Sequence, residues 1–331
     1  MFSSSSQLTN SIFDSNLSNF DEICCNLFGF QYQNNEIYRK YCNYIGVFEP
    51  NIINNIEKIP FLPISFFKTQ KVLSSTQPIQ KVFSSSATGG MGQSKHYITD
   101  LNIYIKSFVS GFERVFGKTE NFCFMALLPS YLDREGSSLI YMVQHLMNLS
   151  KHPLNGFFLY EHKTLSERME QLERMNQPYI LFGVSFALLD FIANARVEMK
   201  IGKIIETGGM KGRKKELTKM EVQNRLREAL KTDFIYSEYG MTELLSQAYA
   251  FNDGMYDCPP WMRILISDPN DPFSILEANK TGLINVIDLA NINSCSFIQT
   301  ADLGRKNDSG KFEVLGRMDN SELRGCSLMI S

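Results

Sequence analysis

An α/β fold, with a helix-flanked, mostly parallel sheet and a smaller antiparallel β part, is what this 331-residue sequence predicts. Three patterns carry the prediction. From Asp100 to Tyr239, short apolar runs alternate with amphipathic stretches, and strand–helix alternation of this kind builds a parallel sheet covered by helices. Beyond Phe251, short apolar runs follow one another, separated by Pro, Gly, Asn and Asp with no helical stretch between them, the pattern of an antiparallel meander. Before either, Asp14 to Tyr44 places Phe20, Ile23, Cys24, Leu27, Phe28, Ile37, Tyr38, Tyr41 and Tyr44 at helical spacing, which predicts two helices. The expected organisation is a helical segment over 1–50, an α/β core over 51–250, a β-rich part over 251–316 and a tail over 317–331.

In chain order, Ile59 to Lys68, with two prolines and many aromatics, reads as an extended segment lying on the core. Lys81-Val82-Phe83 reads as a strand that delivers the chain into Ser84-Ser85-Ser86-Ala87-Thr88-Gly89-Gly90-Met91-Gly92-Gln93-Ser94-Lys95. Glycines let successive backbone N–H groups converge on an anion, hydroxyls add donors and Lys95 adds charge. The P-loop pattern is not met, and a flexible polar linker fits the composition as well.

An amphipathic helix is expected from Asp100 to Phe116, and a buried strand over Phe122 to Leu128. A loop with Tyr131 follows, then a helix from Leu139 to Leu149, with Ser137 or Ser138 as its N-cap. Further strands are expected at Gly156–Tyr160, Tyr179–Ser185 and Lys203–Thr207, with helices at Lys163–Arg174, Phe186–Asn194 and Lys219–Ala229. In such sheets, ligands sit beyond the carboxyl ends of the strands. Gly183-Val184-Ser185 and Thr207-Gly208-Gly209-Met210 lie at such ends. The basic run Lys211 to Lys215 reads as a solvated loop.

The most informative stretch is Phe234-Ile235-Tyr236-Ser237-Glu238-Tyr239-Gly240-Met241-Thr242-Glu243. It reads as a strand, then a turn, then a helical run over Leu244 to Ala248. An aromatic stacks on a base, a hydroxyl bonds a phosphate oxygen and a carboxylate holds Mg²⁺, so Tyr239, Thr242 and Glu243 fit a nucleotide site. An ordinary strand–turn–helix joint with an N-cap fits the same residues.

Composition bounds the function. Hydrophobic residues make up 44% and charged residues 21%, as in a globular protein, and a net charge of −2 without a basic block does not suit nucleic acid. Seven scattered cysteines without a CxxC pair, and only four histidines, argue against zinc and for free thiols, hence a cytoplasmic protein. Neither a signal peptide nor a membrane span is evident.

The Tyr-Gly-Met-Thr-Glu run, and more closely Ser237 to Gln247, resembles the acyl-protein synthetases of bacterial bioluminescence (LuxE type), a branch of the adenylate-forming superfamily. Thr88-Gly89-Gly90 resembles that superfamily's phosphate loop, which favours the phosphate-binding reading of Ser84, Ser85, Ser86 and Lys95. The resemblance implies activation of a fatty or other carboxylic acid by ATP and Mg²⁺ to acyl-AMP. It implies adenine contacts from Gly208, Gly209, Met210 and Tyr239, and ATP or AMP contacts from Glu238 and Gly240. Thr300-Ala301-Asp302-Leu303-Gly304 resembles the segment whose aspartate holds the ribose, and a carboxylate suits a diol because it only accepts hydrogen bonds. Leu315-Gly316-Arg317-Met318-Asp319 resembles the hinge whose arginine contacts the nucleotide. Tyr131, Gly183 and Ser185 would border the acyl pocket, and Glu243 would bind Mg²⁺.

Twelve residues follow Asp319, so the superfamily's small C-terminal domain and its lysine are not expected, as in the acyl-protein synthetase branch. Within that tail, Cys326 matches the family's acyl-accepting cysteine, beside Arg324, which favours a thiolate. An inert apolar cysteine is the alternative. A partner resembling an acyl-CoA reductase is implied for the acyl group. Two other functions stay open: a ligase using coenzyme A or a carrier-protein thiol, and a nucleotide-binding scaffold without catalysis.

Overall fold

The computed structural model describes residues 11–16, 18–50, 53–85, 92–128, 136–195, 197–208 and 217–318. In chain order its helices are α1 (Phe20–Asn34), α2 (Glu36–Tyr44), α3 (Phe66–Thr69), α4 (Leu101–Phe116), α5 (Ser138–Ser150), α6 (His162–Arg174), α7 (Ser185–Asn194) and α8 (Lys219–Leu230). Its strands are β1 (Leu62–Pro63), β2 (Lys81–Ser84), β3 (Lys95–Ile98), β4 (Cys123–Leu127), β5 (Gly156–Phe158), β6 (Tyr179–Val184), β7 (Lys203–Thr207) and β8 (Ile235–Tyr239). They continue as β9 (Ala248–Phe251), β10 (Tyr256–Asp257), β11 (Met262–Ser267), β12 (Thr281–Asp288), β13 (Phe297–Lys306) and β14 (Phe312–Arg317). The expected α/β class stands. Two compact units form, one from the described residues of Met1–Val82, Ser86–Asp100 and Cys258–Ser331, the other from those of Phe83–Ser85 and Leu101–Asp257.

The unit containing residues 101–257 holds the parallel sheet. β4 pairs in parallel with β5 and β6, β6 with β7, and β7 with β8. β9 and β10 then continue antiparallel. Every residue of β4 and β6 is buried, as strands covered on both faces must be. Successive side chains alternate between faces. On one face Tyr236 of β8 meets Phe116 of α4 at 4.7 Å between ring centroids. On the other, Ser237 accepts a hydrogen bond from Gln223 of α8 at 3.2 Å. Helices therefore cover both sides. α5 starts on Ser137, whose side chain accepts from the N–H of Ile140, as its N-cap position predicts.

The other unit centres on the ten-residue β13. It pairs antiparallel with β12 and β14 and parallel with β1, and β12 pairs with β11. The two predicted N-terminal helices pack here. Tyr38 of α2 stacks on Phe297 at 6.1 Å. Gln31 of α1, fully buried, donates to the carbonyls of Asn291 and Ile292 and accepts from the N–H of Ser296. A buried amide used in both directions fixes the helix to the β12–β13 connection.

Two local expectations are corrected. Ile59 to Lys68 is extended only as far as β1. From Ile64 to Gln70 every residue has an N–H, and those of Phe67, Lys68 and Gln70 close a helical turn on Ile64, Ser65 and Phe66. Leu244 to Ala248 is not helical. All five residues are buried, so no polar face is available to an amphipathic helix, and Ala248 instead opens β9 opposite Tyr239. Asp302 and Arg317 lie inside β13 and at the end of β14. Among the described residues no helix is long and apolar enough to cross a membrane.

Candidate active site

At the carboxyl ends of β7 and β8 two short sequences stand side by side in register. Glu206 is opposite Ser237 and Thr207 is opposite Glu238. Each pair joins a carboxylate to a hydroxyl, and alternation sends the two pairs to opposite faces.

On the first face Glu206 is 2% exposed. Ser185, the first residue of α7, donates to its Oε1 and also approaches the carbonyl of Gly208 at 2.9 Å. Ser237 donates to its Oε2 at 3.1 Å, and Gln223 donates to Ser237. On the second face Thr207 donates to Oε2 of Glu238. Burial pushes the Glu238 carboxyl up to about 7. The Thr207 hydroxyl and the Lys219 ammonium pull against burial, and the charge of Glu206 adds to it. Lys219 donates to the hydroxyl of Tyr256, whose ring lies 5.8 Å from that of Tyr239.

Gly240 follows directly. A Cβ added there would collide with Oε1 of Glu238 and press on Cγ of Gln247 at 3.3 Å. A glycine is needed because the carboxylate lies against its Cα. Gly208 has φ +70, the left-handed conformation that lets the chain turn out of β7. At Gly183 a Cβ would meet Leu188 at 2.6 Å, so this glycine lets α7 pack closely on β6. Tyr239 and Glu243 are buried and Thr242 is half-buried. Two buried atoms in the next residues, Oε1 of Gln247 and the hydroxyl of Tyr249, have no hydrogen-bond partner among the described residues.

Ser84 and Ser85 belong to the same unit. The N–H of Ser84 donates to the carbonyl of Gly136 at 2.8 Å. The preceding Phe83 packs on Tyr104 at 5.3 Å between centroids. Burial, and next the charge of Glu238, raise the Tyr104 phenol. In the other unit Lys95 opens β3. Asp302 and Arg317 are cross-strand partners, with Arg317 Nε 3.6 Å from Asp302 Oδ1. Ser86, Thr88, Gly89, Gly90, Tyr131, Gly209, Met210 and Cys326 lie outside the described residues.

Sequence reasoning missed Glu206, Thr207, Ser237, Gln223 and Lys219. The signal was present in the parallel endings Glu-Thr-Gly and Ser-Glu-Tyr-Gly, but their registration shows only once β7 and β8 are known to be neighbours.

A family model described as acyl-protein synthetase, LuxE, matches residues 5–331. The chain belongs to this family. Two relatives named long-chain-fatty-acid–luciferin-component ligase are each 23% identical over 339 residues. The one from Aliivibrio fischeri covers 94% of this chain and 87% of its own, and the one from Vibrio harveyi 91% and 84%. Among solved structures, a 2-hydroxyisobutyryl-CoA ligase in complex with 2-HIB-AMP and CoA is similar at TM-score 0.68 and 12% identity, over 92% of this chain and 72% of that one. ATP-bound MatB from Rhodopseudomonas palustris is similar at TM-score 0.57 and 15% identity, over 73% of this chain. This chain spans about half the length of that MatB chain, 49%. These likenesses show that this chain shares its fold with adenylate-forming domains.

Within that fold the strand ends fit an adenine nucleotide. They offer an aromatic, a close-approach glycine, carboxylate acceptors and a buried amide oxygen without a partner among the described residues. The Glu243 carboxylate is a hard oxygen donor of the kind Mg²⁺ takes.

Proposed function

We propose that this chain activates a long-chain fatty acid, or another carboxylic acid, with ATP and passes the acyl group to a cysteine thiol. As a member of an acyl-protein synthetase family the chain is an acid–thiol ligase. In the first step a carboxylate oxygen attacks the α-phosphorus of ATP, forming acyl-AMP and expelling pyrophosphate. In the second a thiolate attacks the acyl carbon, AMP leaves, and a thioester remains.

The observation that carries the reading is the convergence, at the ends of β7 and β8, of Thr207, Gly208, Glu238, Tyr239 and Gly240 in a chain of this family. Tyr239 and the Gly208 segment hold adenine. Thr242, Ser84 and Ser85 orient phosphates, and the family resemblance alone assigns Lys95 to the phosphates and Asp302 and Arg317 to the ribose. Glu243 would hold Mg²⁺, which would neutralise charge at the phosphates. Gly183 and Ser185 border the acid.

The acceptor thiol is Cys326. Burial raises the thiols of Cys24, Cys25, Cys42, Cys123 and Cys295, Cys42 and Cys123 to about 12, which makes them poor nucleophiles near neutral pH. A reductase-like partner protein is the onward recipient of the acyl group.

ATP–pyrophosphate exchange tests the reading. Exchange that rises when a fatty acid is added is the expected result. Exchange indifferent to every added carboxylic acid overturns it.

A further inference from the structure

Glu206 plays no part in the steps above, yet few carboxylates among the described residues are as deeply buried. An ionised carboxylate is costly to bury unless each oxygen is satisfied. Here Oε1 accepts from Ser185 and Oε2 from Ser237, and the two hydroxyls come from different elements, the start of α7 and the middle of β8. Glu206 is also in register with Gly183 on one side and Ser237 on the other. One step along the chain, Thr207 holds Glu238, which in turn lies on Gly240. Ser185 additionally reaches the carbonyl of Gly208. Three strand ends thus share one buried carboxylate, and the segment bordering the acid is tied through it to the segments around the nucleotide.

We propose that Glu206 is a positioning residue that couples the two substrates. It touches neither of them. It holds Ser185 and Ser237 in one arrangement, so that ordering the acid-side segment also orders the nucleotide-side strand ends. A shared network of this kind gives a reciprocal coupling, in which each substrate raises affinity for the other by the same factor. The inference rests on the function proposed above.

The test uses the full chain in fatty-acid-dependent ATP–pyrophosphate exchange. The apparent KM for ATP is measured across a range of palmitate concentrations, and the reverse, for wild type, Glu206→Gln and Ser237→Ala, alongside thermal melts. Glu206→Gln keeps the shape but leaves only one acceptor oxygen for two hydroxyl donors. Ser237→Ala removes one donor without touching the carboxylate and serves if Glu206→Gln does not fold. In the wild type each substrate lowers the KM of the other. In the variants this mutual dependence shrinks at least about threefold, toward the lower end of typical coupling factors. The double variant shows no further loss, as expected for residues acting as a unit. A lowered melting temperature with the mutual dependence intact makes Glu206 merely structural and overturns the proposal while leaving the proposed function standing. No acid-dependent exchange in the wild type overturns both.

Discussion

Glu238 is held between burial, which disfavours its charge, and Thr207 and Lys219, which favour it. Its carboxyl is raised from an ordinary glutamate to about 7, so between those values the folded chain binds more protons than the unfolded one. This contribution to stability is complete below the unfolded pKa and is lost as pH rises through about 7. Its size is on the order of 1 to 3 kcal/mol. Urea unfolding at about pH 5 and about pH 8 should show that fall in wild type and a flatter profile in Glu238→Gln. The neighbouring glycine gives a functional prediction. In Gly240→Ala the new Cβ displaces the Glu238 carboxylate, a flexible group, so the fold survives while the carboxylate leaves its place. The KM for ATP should rise about tenfold or more, equivalent to about 1.4 kcal/mol, with only a small change in unfolding midpoint.

At the scale of elements, α8 carries two residues of this neighbourhood, Lys219 and Gln223, and its start is secured by a capping box. Thr218 Oγ1 accepts from the N–H of Glu221, and Glu221 Oε2 accepts from the N–H of Thr218. Thr218→Ala should cost about 1 kcal/mol in chemical denaturation. A larger effect belongs to the antiparallel strands. A Cβ at Gly282 would strike the backbone carbonyl of Ser267 in β11, which cannot swing aside as a side chain does. Gly282→Ala should therefore cost about 2 to 3 kcal/mol, measured the same way. Elements were legible in the sequence where burial is one-sided or complete over a short run. The apolar spacing of α4 and the unbroken apolar runs of β4 and β6 have single solutions. Leu244 to Ala248 misled because its apolar residues sit at spacings a helix also uses. What keeps it irregular is tertiary. It joins antiparallel neighbours β8 and β9 while buried on every side, and Ser246 is fixed by a 3.0 Å hydroxyl contact with Ser107, far away in sequence.

For the whole molecule, the family and the fold class were legible because Ser237 to Gln247, Asp302 and Arg317 occur in the order a shared fold imposes. The carboxylate network behind the strand ends was not, since Glu206 and Ser237 are 31 residues apart and meet only through the β7–β8 register. The two proposed half-reactions can be separated, because the residues proposed for adenylation lie between Ser84 and Arg317 and the proposed acceptor, Cys326, lies beyond them. Cys326→Ser should keep acid-dependent ATP–pyrophosphate exchange within about twofold, because the thiol takes no part in attack on the α-phosphorus. It should also abolish the mass increase of one acyl group seen when the intact chain is incubated with ATP and a fatty acid. Gly240→Ala should lower both readouts together. If Cys326→Ser still gains acyl mass, the acceptor is another residue. Peptide mapping of the labelled chain would then name it, with Cys258, half-buried, ahead of the deeply buried thiols.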